Sequence, residues 1–173
     1  MQQEDNPMFN LKPISHDSIE TALAKAERYR LLNEPHEAES ICHDILAIDP
    51  ANRQAGISLV LALTDEIPQE PSAFNSAISA ISKLEAEYDR AYYSGIAWER
   101  RAKAYFDTKG PGSSGYVHEW IVKALNFFEQ AEKLRSVGND DAILRWNTCV
   151  RFLDRHKELR PKTEEAPEPI LSE

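Results

Sequence analysis

An all-α fold of successive helical hairpins is predicted for this chain by three observations. Apolar residues recur at intervals of three and four from residue 18 onward, no stretch alternates with period two over the length of a strand, and proline or glycine signals divide most of the periodic region into single-helix pieces.

The elements follow in order. Asp17, with Glu20 three residues later, predicts an N-terminal cap and capping box for a first helix over 18–32, whose apolar face is Ala22, Ala26, Tyr29 and Leu32. Asn33-Glu34-Pro35 turns the chain, and Pro35 suits the first turn of a second helix carrying Ala38, Ile41, Cys42, Ile45 and Leu46. Pro50 disfavours helical geometry at Asp49 and ends it. Ala55, Leu59, Val60 and Leu63 mark a third helix, stopped by the two prolines within 67–71. Phe74, Ala77, Ile78, Ile81, Leu84 and Tyr88 predict a fourth, and Tyr92, Ile96, Trp98, Ala102, Tyr105 and Phe106 a fifth, with the boundary between 88 and 95 or a single bent helix in their place. The segment TKGPGSSG, 108–115, is a loop. Beyond it, Trp120, Ala124, Leu125, Phe128, Ala131 and Leu134 define a sixth helix, Gly138-Asn139 closes it, and 142–152 supply a seventh. The last residues, RPKTEEAPEPILSE, bury too little apolar surface to offset the entropy of ordering them, and a flexible tail is expected over 158–173.

Composition narrows the function classes. A chain of 173 residues can bury a core without metals or disulfides, and 42% hydrophobic with 28% charged residues is the balance of a folded domain. Twenty Lys+Arg against 29 Asp+Glu leave a formal charge of -9, which repels phosphate backbones and anionic membranes, so no nucleic acid is expected as a partner. No apolar run reaches membrane length and the N-terminus shows no leader, so no membrane insertion and a cytoplasmic location are expected. Cys42 and Cys149 are isolated in helix interiors and read as packing residues.

The spacing of large and small residues fits a helical-hairpin repeat of about 34 residues. Counting from Ile19, Ala26 falls at position 8, Tyr29 at 11, Ala38 at 20 and Pro50 at 32. Counting from Gly95, Trp98 falls at 4, Ala102 at 8 and Tyr105 at 11, and Ala124, Phe128 and Ala131 restore the second-helix pattern after an insertion. These residues resemble the tetratricopeptide repeat (TPR) family over about 18–134. The middle unit departs, with Gly56 at the Trp position, Leu63 at the Tyr position and a second helix of more than usual length. The resemblance implies a right-handed superhelix of about three TPR-like hairpins plus a C-terminal capping helix, whose packing face is Trp146, Val150 and Leu153. The domains are then an extended arm at 1–17, the repeat domain at 18–157 and the tail.

No constellation predicts chemistry. His36, Glu39 and His43 share a helix at i, i+3 and i+7, but the two imidazoles are roughly 10 Å apart and the HExxH spacing is absent. Cys42, His43 and Asp44 are adjacent on a helix and point in different directions. GPGSSG lacks the lysine and the preceding strand of a phosphate loop, and the pairs Glu85/Glu87 and Glu164/Glu165 read as solvated charge. The expectation is a non-enzyme with no catalytic residues, cofactor or metal.

The resemblance implies a protein–protein interaction scaffold or adaptor, of chaperone type among others, that grips a peptide or partner helix in a concave groove. Repeat positions 2, 5, 9 and 12 select Leu23, Glu27 and Arg30, then Ile57 and Leu61, then Ile96, Glu99, Lys103 and Phe106. Leu23 and Glu27 do not match the Lys and Asn with which one TPR subclass clamps a C-terminal carboxylate, whereas Arg100 and Lys103 match its basic side. Met8, Phe9, Leu11 and Ile14 of the arm are a competing occupant of the groove. The alternative function is a small-molecule or catalytic pocket near the 108–115 loop, using Tyr116 and His118.

Overall fold

The computed structural model describes residues 9–109 and 114–160, and the expected tail from 161 onward lies outside them, as does Met8. Among the described residues there are seven α-helices and no strand: α1 (Ile19–Leu31), α2 (Pro35–Ile48), α3 (Arg53–Glu66), α4 (Ala73–Ser82), α5 (Glu87–Lys109), α6 (Ser114–Leu134) and α7 (Asp141–Arg155). A 3-10 turn precedes α1 at His16–Ser18 and another follows α7 at Lys157–Leu159. No helix among them is long and apolar enough to cross a membrane.

Local chemistry accounts for most of the ends. Asn33 takes the left-handed conformation at φ 60° between α1 and α2, and Pro35 opens α2 where an amide hydrogen would have no partner. Asn52 caps α3, its side-chain oxygen accepting from the Ala55 amide at 2.9 Å. Gly138, at φ 85°, turns the chain between α6 and α7.

Four sequence expectations are corrected. The Asp17–Glu20 capping box is not made: Asp17 already lies inside the 3-10 turn, Ser18 occupies the cap position, and its hydroxyl donates back to the Ser15 carbonyl at 2.7 Å. The boundary between the fourth and fifth helices falls at 83–86, which puts Tyr88 in α5 and leaves α4 a short helix of 10 residues instead of a long one. No proline marks this break because other groups make it. Leu84 is buried against Gly56, and the Arg90 guanidinium donates to the carbonyls of Leu84 and Glu85, both at 2.6 Å, satisfying acceptors of the non-helical break itself. The 108–115 loop is shorter than expected, since Thr108 and Lys109 finish α5 and Ser114 and Gly115 begin α6; residues 110–113 lie outside the described ones. On α7 the fully buried residues are Ala142, Cys149 and Phe152, while Val150 faces outward.

The chain folds back on itself helix by helix. α1, α3 and α5 also lie side by side, with α7 against α5 at the end of the row, whereas α2 and α4 stand apart. Small residues allow the closest approach, between α5 and α6, where a Cβ added at Gly95 would sit 2.4 Å from the Phe128 ring. The apolar interior is a series of clusters: Ala26, Ala38, Cys42 and Leu59 between α1, α2 and α3; Val60, Phe74, Ile81 and Ala97 between α3, α4 and α5; Ile96, Ile121, Phe128, Cys149 and Phe152 between α5, α6 and α7. Leu159 joins the last cluster at 1% exposure, so the packed domain continues past the boundary at 157. At the other end, Phe9 and Leu11 are exposed and Ile14 is half-buried, so neither Phe9 nor Leu11 is seated in a groove.

Both cysteines are free and buried. Burial pushes the Cys42 thiol up to about 11 and the Cys149 thiol up to about 12 from an ordinary 9.0. Below the ordinary value both the folded and unfolded chains hold these protons; above it the unfolded chain ionises first, so stability falls as pH rises through that window. The folded protein should therefore leave both thiols unmodified by an aromatic disulfide reagent at pH 8, and release two equivalents on denaturation. Prompt reaction of either thiol in the native protein would contradict this packing.

Candidate functional site

The helices α1, α3, α5 and α7 present a connected set of charged side chains. Asp65, near the C-terminus of α3, accepts from Arg30 of α1 at 2.8 Å and from Arg100 of α5 at 2.5 Å. The same Arg100 nitrogen reaches the Thr64 hydroxyl at 2.5 Å and the Leu61 carbonyl at 3.2 Å. Burial pulls the Arg100 guanidinium below its ordinary value, and Asp65 beside it opposes that shift. Next to Arg100 in the chain, the buried carboxylate of Glu99 accepts from Lys103 at 2.5 Å and lies 3.5 Å from Arg145 of α7. Four cations (Arg30, Arg100, Lys103, Arg145) face the carboxylates of Asp65 and Glu99, and with the exposed Glu27 of α1 counted the face keeps an excess of one positive charge in a chain whose formal charge is -9. Arg30, Asp65, Arg100, Lys103 and Arg145 all keep part of their side chains in solvent.

The nine groove residues chosen from sequence divide between solvent and interior. Glu27 is exposed and Leu23 half-buried on α1, and Arg30 joins the charge network. Ile57 packs on the cluster between α3 and α4, and Leu61 packs on the one that contains Ile96. Ile96 and Glu99 are 0% and 1% exposed. Phe106 meets Phe152 edge to face at 5.6 Å and His156 at 4.6 Å, and the Lys103 ammonium lies 5.6 Å from the Phe152 ring. The interior faces of α7 and the turn after it thus cover Ile96 and Phe106, leaving Leu23, Glu27, Arg30 and Lys103 the more accessible members. Asp65 and Arg145 were not selected: Asp65 lies one residue past the last groove position of its unit, and Arg145 comes from a helix read only as a cap.

Two hollows flank the helices. The larger, about 860 Å³, opens between α2, α3 and α4 because α2 and α4 diverge, and its wall includes Glu39, His43, Arg53, Leu59, Asn75 and Lys83. The smaller, about 410 Å³, lies beside the end of α5 and is lined by Pro68, Pro71, Arg101, Tyr105, Lys109 and Trp120. Arg101 there stacks between the rings of Phe74 and Trp120, at 4.3 and 4.2 Å from their centroids. Tyr116 is exposed and stacks edge-on against Tyr105, and His118 is half-buried; neither lines the hollow.

A third feature joins α2 to α3. The antiparallel pairing brings Glu66, at the end of α3, beneath the start of α2, where the ligand atoms of His36, Glu39 and Glu66 all lie within 4.8 Å of one another. His36 Nδ1 is 3.2 Å from Glu66 Oε1 and 3.9 Å from Glu39 Oε2, and His43 Nε2 is 3.4 Å from Glu39 Oε1. Burial, reinforced by the charge of Glu39, pushes the Glu66 carboxyl up to about 7. His36 and Glu39 share a face on sequence spacing alone, but Glu66, far along the chain, carries no local signal for joining them.

No protein-family model, no curated protein and no solved structure matches this chain.

Proposed function

We propose that the chain is a TPR-like interaction module, a scaffold or adaptor, that holds an acidic segment of another protein along the face shared by α1, α3, α5 and α7. The observation that carries this reading is the cationic excess on that face of an acidic protein. Side-by-side packing of alternate helices and the small residues at Ala26, Ala38, Ala102 and Ala124 support the superhelical hairpin arrangement that this reading assumes. Long-range attraction and orientation come from the guanidinium and ammonium groups, and apolar contact is supplied at the edge by Leu23.

The test begins with capture of partners by the intact protein and proceeds to direct titration of the one identified. Arg30→Gln and Arg145→Gln together should weaken that binding about tenfold or more, with the loss shrinking as salt rises, because the attraction is screened within about a Debye length. Each change leaves its carboxylate partner a second cation, Arg100 for Asp65 and Lys103 for Glu99, so helicity should persist. Unaltered affinity in a folded double variant would remove this face from consideration.

A further inference from the structure

We propose that His36, Glu39 and Glu66 form a binding site for one divalent transition-metal ion of the zinc type, bridging α2 and α3. The donors fit in kind: one imidazole and two carboxylates are the nitrogen and oxygen ligands such an ion takes, and two carboxylates balance its charge. Two of the three separations are near those of a bound ion, and the whole set lies within 4.8 Å. A tetrahedral set bound at about 2.0–2.1 Å holds its ligand atoms about 3.3–3.4 Å apart, and His36 Nδ1 already stands 3.2 Å from Glu66 Oε1 and 3.9 Å from Glu39 Oε2.

The independent observation is Glu66 itself. Its side chain is 5% exposed, and its Oε1, although close to His36, makes no hydrogen bond. A buried carboxylate oxygen without a donor is costly unless a proton or a cation meets it. Glu39 brings a second carboxylate to the same place, and two like charges this close favour a cation between them. His36 is 69% exposed at the side chain, so an ion has an entry path, and His43 contacts the other oxygen of Glu39, where it orients that ligand. Three protein ligands leave a fourth position for water or an incoming donor, the arrangement of an open rather than a closed zinc site. Glu39 and His43 also line the cleft between α2 and α4, which places the ion at that cleft's edge.

The intact protein, stripped with a chelator, is titrated with zinc by calorimetry and followed by thermal melting, with magnesium as the comparison ion and cobalt(II) as a spectroscopic probe. Uptake of one zinc per chain, a raised melting temperature and ligand-field absorption from cobalt are expected in the parent protein. His36→Ala and Glu66→Gln should each weaken zinc binding at least tenfold and abolish the cobalt bands, whereas His16→Ala should leave both unchanged. Both ligand variants should fold, since His36 is exposed and the glutamine preserves the shape of Glu66 while removing a buried charge. The site is overturned if the parent takes up no zinc, if both ligand variants bind it undiminished, or if magnesium binds as tightly. A protonated Glu66 shared with Glu39 would give the first of these results.

Discussion

A chain ended after Ser136 is expected to associate and to lose most of its stability. That truncation removes α7 and the turn after it, and with them Cys149, Phe152 and Leu159, which complete the cluster around Ile96, Ile121 and Phe128. Full burial of a large apolar side chain stabilises a fold by about 1.5–3 kcal/mol, so Phe152 and Leu159 alone account for roughly 3–6 kcal/mol, a large share of the roughly 5–15 kcal/mol by which whole domains are stable. The newly bared α5 and α6 would present a continuous apolar patch and the buried carboxylate of Glu99 short of one cation. Light scattering and circular-dichroism melts check both effects. A truncated protein that stays monomeric with an unchanged melting temperature would show that α7 is not an integral layer of the domain.

Gly95→Val is expected to cost about 2–3 kcal/mol, the range of overpacked cores, although valine is the better helix former. Any Cβ at this position meets three atoms of the fully buried Phe128 ring, at 2.4, 2.6 and 2.9 Å, and α6 cannot withdraw without opening its contact along the whole of α5. Gly95→Ala should cost less, about 1 kcal/mol, because its gain in helix propensity offsets part of the clash. Combining Gly95→Ala with Phe128→Leu should restore part of what the two changes lose separately, the signature of direct contact. Denaturant melts of the four variants decide the point; a Gly95→Val protein as stable as its parent would rule out the close approach of α5 and α6.

Much of the helix layout was legible because local chemistry wrote it. Pro35, the prolines at 50, 68 and 71, and Gly138 punctuate the chain where the structure turns, and the period of the apolar residues supplied the helices between them. The break before α5 was misplaced because long-range groups make it: Leu84 fills the space over Gly56, and Arg90 collects the loose carbonyls. The candidate face was legible in part. Repeat positions pointed to Arg30 and Lys103, but the same positions on α5 selected Ile96 and Glu99, which α7 closes off, since spacing within one helix says nothing about which later helix will cover it. The grouping of His36 and Glu39 with Glu66 was likewise beyond sequence reading, because it depends on the antiparallel register of α2 against α3.

The division of the interior into successive clusters has a mechanical consequence. In an array whose stability is a sum over neighbouring joints, tension applied to its two ends is carried in series, and the joint with the least buried surface yields first. Among the described residues α4 and α5 meet more sparingly than any other successive pair of helices, whereas α5 and α6 share the broadest seam. Under load the protein is expected to part first between α1–α4 and α5–α7, and the ligand proposed for the face from Arg30 to Arg145 would tie the two groups together.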